Sequence, residues 1–158
     1  MATIILYATK YGATEQIAKR ISKLLDDAPY HNLNDTNLPT LEDFDTIILG
    51  TSVYAGSTRK EAKQFLSKHK KILVEKNISF FLSGLSQSKD DPDTFYKKNF
   101  PADLLNKAQA TAFLGGIFDP EKTTAAERMI IKLVAQQTTF INTINERKIK
   151  EFVAAVQQ

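Results

Sequence analysis

Cysteine and tryptophan are absent from the 158 residues, and histidine occurs only as His31 and His69. Without a thiol there can be no disulfide, iron–sulfur cluster, thiolate nucleophile or zinc ribbon. Two histidines with no partner motif do not furnish a His-dependent triad or a multi-His metal site. Redox chemistry, if the chain has any, must come from a cofactor. No apolar run approaches the roughly 20 residues that cross a bilayer. The opening MATIILY has neither the basic region nor the apolar length of a signal peptide. The expectation is a soluble, cytoplasmic chain.

The composition is that of a globular protein, 42% hydrophobic and 25% charged, and its length suits one domain over 1–158 with its own core. Lys and Arg outnumber Asp and Glu by 21 to 18. That excess, with a pI near 9.0, leans toward phosphate-bearing ligands or anionic surfaces.

Short apolar runs at 3–8 (TIILYA), 45–50 (DTIILG), 78–83 (ISFFLS) and 110–116 (ATAFLGG) read as buried strands, with a weaker candidate at 30–33. Between them the period becomes helical. Ile17, Ala18, Ile21, Leu24 and Leu25 share one face ahead of Pro29. A second helix carries Ala62, Phe65, Leu66, Ile72 and Leu73, and two more span 125–134 and 146–156. Thr143-x-x-Glu146 has the pattern of a capping box for the last of these. The polar stretch 86–101 reads as a long loop with at most a short helix. Alternating strands and helices imply βαβ units and a parallel sheet covered on both faces, with ligands beyond the carboxyl ends of the strands. The loops after Ala8, Gly50 and Ser83 are therefore the places to look.

The first loop is Thr9-Lys10-Tyr11-Gly12-Ala13-Thr14. Its hydroxyls, its glycine and the start of a helix near Ala13 compose an anion cradle, or else a structural turn ending in an N-cap. It is neither a Walker A loop nor a Gly-x-Gly-x-x-Gly fingerprint. Among the remaining features, His69 reads as packed on its helix and His31 as a surface residue. Arg59, Lys60, Lys63, Lys68, Lys70 and Lys71, against Glu61 alone, form a solvated face or a docking surface for an acidic partner or lipid headgroups. Met129, Ile130, Leu133 and Val134 read as core. Asp90, Asp91 and Asp93 lack metal-ligand spacing, being interrupted by Pro92.

The hexapeptide resembles the phosphate loop of the flavodoxin family, Ser/Thr-x-Thr/Tyr-Gly-x-Thr. Gly50-Thr51-Ser52-Val53-Tyr54-Ala55-Gly56 is similar to the second flavin loop of the flavodoxin-domain branch related to menaquinone-dependent protoporphyrinogen dehydrogenase. So are Phe81-Leu82-Ser83-Gly84-Leu85, Gly115-Gly116-Ile117-Phe118-Asp119-Pro120 and Glu127-Arg128-Met129-Ile130-Ile131-Lys132. The resemblance implies a flavodoxin-like α/β fold, five parallel strands in the order 2-1-3-4-5 with helices on both faces, and non-covalently bound FMN. Thr9 and Thr14 would serve the phosphate through hydroxyls, and Lys10, Tyr11, Gly12 and Ala13 through backbone N–H groups. Ser52, Val53, Tyr54, Ala55 and Gly56 would lie along the isoalloxazine, with Tyr54 as the aromatic contact. Ser83, Gly84 and Leu85 would line its other side, where the nearest aromatics are Phe95 and Tyr96.

The implied function is electron transfer or a small flavin-dependent oxidoreductase activity with no catalytic side chain. The partner would be a redox protein or a small donor or acceptor such as a quinone, with peripheral membrane contact left open and no nucleic acid. Protoporphyrinogen dehydrogenase activity coupled to a quinone is the alternative. It is weakened because 86–101 is short where that branch has a long basic insertion. A non-enzymatic partner-binding module is the alternative from another class. A phosphoacceptor receiver would need acids where Thr9 and Thr51 stand, and a lysine where Gly116 stands.

Overall fold

The computed structural model describes residues 2–85, 91–136 and 138–158, apart from the side chains of 134 and 135. In chain order the strands are β1 (Thr3–Ala8), β2 (Tyr30–Asn32), β3 (Thr46–Tyr54), β4 (Ser57–Thr58), β5 (Asn77–Ser83), β6 (Thr111–Phe113), β7 (Ile117–Phe118) and β8 (Ile141–Asn142). The helices are α1 (Ala13–Leu24), α2 (Lys60–Lys68), α3 (Lys70–Leu73), α4 (Pro92–Asn99), α5 (Ala102–Lys107), α6 (Ala125–Ala135) and α7 (Glu146–Val156). The main sheet runs β2-β1-β3-β5-β6, with all of these pairs parallel, and β4 is attached antiparallel to the end of β3. The five parallel strands thus follow the expected order, and β4 moves the last two to β5 and β6.

The central strands are apolar throughout because helices cover both of their faces. On one face Ile17, Ala18 and Ile21 of α1 and Ile149, Phe152 and Val153 of α7 pack against Ile5, Tyr7, Ile48 and Phe81. On the other, Phe65 and Leu66 of α2, Leu73 of α3, Phe95 of α4 and Leu104 of α5 pack against Ile4, Leu6, Leu49 and Phe80. Gly50 lies between Tyr7 and Phe81 in the ladder. A Cβ there would fall 2.0 Å from Phe81 Cζ, so the absent side chain is the space that the phenyl ring fills.

Several elements depart from the sequence reading. β3 continues to Tyr54, where a loop was expected from residue 51, because Val53 and Tyr54 pair with Thr58 and Ser57. The intervening Ala55 (φ 50°) and Gly56 (φ 77°) are both left-handed, as a two-residue hairpin turn requires. The expected single helix through 73 breaks at His69, whose ring packs on Phe65 with centroids 4.6 Å apart. Burial, then the neighbouring Lys68 charge, hold the His69 imidazole below its ordinary pKa. His31 is half-buried on β2 rather than fully at the surface.

Residues 92–99, in the stretch expected as a long loop with at most a short helix, form the eight-residue α4. Pro92 opens it where a missing N–H costs nothing, and Asp91 caps it by accepting from the Thr94 N–H at 3.0 Å. Residues 86–90 of the same stretch, Asp90 included, lie outside the described residues. The fifth parallel strand is confined to Thr111–Phe113. Beyond it the backbones press together: a Cβ on Gly115 would lie 2.0 Å from the Thr143 carbonyl oxygen, and one on Gly116 would lie 2.6 Å from that of Gly84.

Thr143 is not a helix cap. It accepts from the Gly116 N–H at 3.1 Å, while Asn145 caps α7 and Thr124 caps α6. Met129 (65% exposed), Ile130 (40%) and Leu133 (73%) are not core. They ride on α6, which leaves the sheet as an excursion between β7 and β8, two short strands paired only with each other. The side chain of Val134 lies outside the described residues.

Gly50→Ala should cost about 1–3 kcal/mol or more, because Phe81 cannot keep its position beside a new methyl group. Urea unfolding should show a lower midpoint at an unchanged slope.

Candidate functional site

The ladder sets Ala8 level with Thr51 and Ser52 level with Ser83. β1 and β5 therefore end level with Thr51 and Ser52 of β3, whose hairpin projects beyond them, on the carboxyl edge where α/β sheets bind ligands.

In the first loop the Thr9 hydroxyl oxygen accepts from the Gly12 N–H at 2.9 Å, closing a tight turn. Gly12 has φ 95°, which favours glycine, and a Cβ there would meet nothing within 4 Å. α1 starts at the next residue with no side-chain cap, and its first backbone bond runs from the Gln16 N–H to the Gly12 carbonyl at 3.1 Å. The amides of Ala13, Thr14 and Glu15 therefore face outward at the positive end of the helix dipole. The Thr14 hydroxyl is fully buried, 2.7 Å from Ser83 Oγ, and fastens this loop to the end of β5. If Ser83 donates, the Thr14 hydrogen remains free for an anion.

Strand alternation splits the second loop. Val53 packs against the core, so Ser52 and Tyr54 turn to the opposite side. The buried Asn99 at the end of α4 holds the hairpin: its Oδ1 accepts from the Thr58 N–H at 3.2 Å, and its Nδ2 donates to the carbonyls of Gly56 (3.4 Å) and Phe95 (3.0 Å). In the third loop the Gly84 N–H donates to the Gly115 carbonyl at 3.0 Å, and Leu85 is half-buried. Phe95 is fully buried and Tyr96 packs edge-on against it, so both belong to the core below the loops.

Lys10 joins the first two loops to α6. Its ammonium lies 5.4 Å from the Tyr11 ring centroid, 5.3 Å from that of Tyr54 and 3.3 Å from Glu127 Oε1. Around it, the Tyr11 and Tyr54 hydroxyls and Glu127 Oε2 are buried with no hydrogen-bond partner. Three unpaired polar atoms in one cluster mark a place suited to a polar ligand.

The basic stretch is less exposed as charge than its sequence suggests. Arg59 pairs with Glu61 at 3.0 Å and Lys70 with Asp103 at 3.1 Å, while Lys63 donates to Ser57 Oγ at 2.8 Å. Sequence reasoning missed Asn99 and Glu127. Asn99 sits at the end of a helix in the stretch read as a long loop with at most a short helix, and no local pattern signals that Glu127 meets a lysine of the first loop.

A family model for the flavodoxin domain matches residues 4–142. The chain belongs to the flavodoxin-domain family. It is 23% identical over 146 residues to protoporphyrinogen IX dehydrogenase [quinone] of Escherichia coli K12, covering 87% of this chain and 81% of that protein. The fold superposes on two-electron reduced Megasphaera elsdenii flavodoxin with a TM-score of 0.64, 17% identity and 99% of each chain covered. A Lactobacillus acidophilus flavoprotein crystallised with FMN gives a TM-score of 0.54 at 16% identity, over 71% of this chain and 92% of that one.

Asn99→Ala should destabilise the protein by about 1–3 kcal/mol, since it strips partners from buried backbone groups. Amide hydrogen exchange at Thr58 should accelerate well beyond that at the β1 and β5 amides.

Proposed function

We propose that this flavodoxin-family chain binds one FMN non-covalently and uses it to pass electrons, as a carrier or a small flavin-dependent oxidoreductase. The observation that carries the reading is the uncapped start of α1 beneath the open Gly12 turn, a ready site for a phosphate dianion. The unpaired polar atoms around Lys10 fit the same ligand. Bound FMN supplies the hydride and single-electron chemistry at its ring. The chain's own residues bind, orient and shield it.

Thr9, Thr14 and the backbone of Lys10, Tyr11, Gly12 and Ala13 are assigned to the phosphate. Ser52, Val53, Tyr54, Ala55 and Gly56 are assigned to one side of the ring, with Val53 contributing backbone only. Ser83, Gly84 and Leu85 are assigned to the other side, with the Gly84 N–H already committed to Gly115. Lys10 adds little net charge to the cradle because Glu127 neutralises it. The partner is a redox protein or a small acceptor such as a quinone. Quinone-linked protoporphyrinogen oxidation is the second reading, favoured by the extent of the match to the Escherichia coli enzyme. It is tested by following porphyrin fluorescence with a quinone present.

Titration of apo-protein should show FMN binding far tighter than riboflavin, with blue and near-ultraviolet bands that the polypeptide lacks. Equal affinities would sink the phosphate assignment. Thr9→Ala should weaken FMN by roughly tenfold to a hundredfold, the value of a hydrogen bond to a charged group.

Tyr54→Ala should weaken FMN and shift its midpoint potential, because the ring loses a packed aromatic face. If neither changes, Tyr54 is a bystander.

A further inference from the structure

The three most exposed large apolar side chains among the described residues all belong to the excursion between β7 and β8: Leu133 (73%), Met129 (65%) and Phe140 (61%). Ile130 (40%) lies beside them on α6. Helical spacing puts Met129, Ile130 and Leu133 on one side of α6 and Glu127 and the half-buried Ile131 on the other. That inner side is fastened. Glu127 meets Lys10 at 3.3 Å, Thr124 caps the helix, and the Arg128 guanidinium donates to the Pro120 and Thr123 carbonyls at 3.0 and 2.6 Å. The apolar face is thus held outward by a secured helix.

We propose that this outer face of α6, with Phe140, docks on an anionic lipid bilayer. Left in water, it forfeits roughly 1.5–3 kcal/mol for each large side chain that a partner could bury. A second copy is a poor occupant, since a stable protein interface takes about 20–30 residues a side and the outer face of α6 offers three large exposed side chains. A lipid surface asks for less: a short amphipathic helix lying in the interface, with cations flanking its apolar face. α6 has that form. Its Lys132 is exposed, and its one acid, Glu127, is turned inward against Lys10. The chain's net charge of +3 draws it toward anionic headgroups. No helix among the described residues is long and apolar enough to cross a membrane, so the contact is peripheral. Because Glu127 ties α6 to the first loop, docking would bring the proposed FMN to acceptors dissolved in the bilayer. That consequence rests on the FMN reading, but the docking does not.

The test is co-sedimentation of the full chain with vesicles of phosphatidylcholine alone or mixed with phosphatidylglycerol. The wild type should bind the anionic vesicles, and bind them less in about 0.5 M salt, where the Debye length has contracted to a few ångströms. Met129→Ser with Leu133→Ser, and separately Phe140→Ser, should each lose about tenfold or more of the partitioning, as expected for withdrawing apolar side chains from lipid. Both should keep the wild-type thermal midpoint, since these side chains support no packing. Lys132→Gln should lose the preference for anionic over neutral vesicles. Failure of the wild type to sediment with anionic vesicles would overturn the proposal, as would serine variants that bind like wild type. A wild-type dimer in sedimentation velocity that the serine variants abolish would overturn it in favour of self-association. FMN titration without vesicles separates the two ideas: lost FMN binding with retained vesicle binding sinks only the functional reading.

Discussion

The parallel register of β1, β3 and β5 is the constraint on which the rest depends. Ala8, Thr51 and Leu82 are set in one row, so the loops after β1 and β5 and the hairpin at the end of β3 share one edge of the sheet. The row below makes this possible, because Gly50 leaves room for the Phe81 ring between strands 4.7–4.9 Å apart in general. A slip of one residue would exchange the side chains of the two faces, and both helical layers would lose their partners. The hydroxyl pair of Thr14 and Ser83 continues this order into the loops, tying the start of α1 to the end of β5 at 2.7 Å.

The site combines backbone features that cost stability with side chains that hold them in place. Ala55 adopts a left-handed conformation that residues with a Cβ resist, and Asn99 secures the hairpin from below. The first turn of α1 is uncapped because its N-cap position is Gly12, which has no side chain, while the Thr9 hydroxyl oxygen accepts from the Gly12 N–H and keeps its own hydrogen to donate. Glycine at that position gives up only about a few tenths of a kcal/mol against a capping side chain, and the open end is what makes the loop receptive to an anion.

α6 connects this site to the rest of the surface. The path from β7 to β8 adds nothing to the main sheet, yet it carries Glu127 to Lys10 and leaves an apolar face of α6 turned outward. The unpaired Tyr11, Tyr54 and Glu127 oxygens show that polar groups are enclosed there without internal satisfaction. Such enclosure is unfavourable inside a core and ordinary at a binding site.

Local sequence determined what local physics controls. The apolar runs TIILYA, TIILG and ISFFLS read as buried strands, and their alternation with amphipathic helices implied a parallel sheet with its site at the carboxyl ends. The placement of Gly12 before a helix start was legible for the same reason: turn and helix are set by neighbours in the chain. Tertiary structure alone decided the pairings across the chain. Asn99 reaches Thr58, Thr14 reaches Ser83 and Lys10 reaches Glu127 only after the sheet has formed. Helical periodicity likewise marked one side of α6 as apolar but could not say what covers it. Periodicity reports which residues share a face, whereas burial depends on whether another element is brought against that face, and the departure of 117–142 from the sheet left it open.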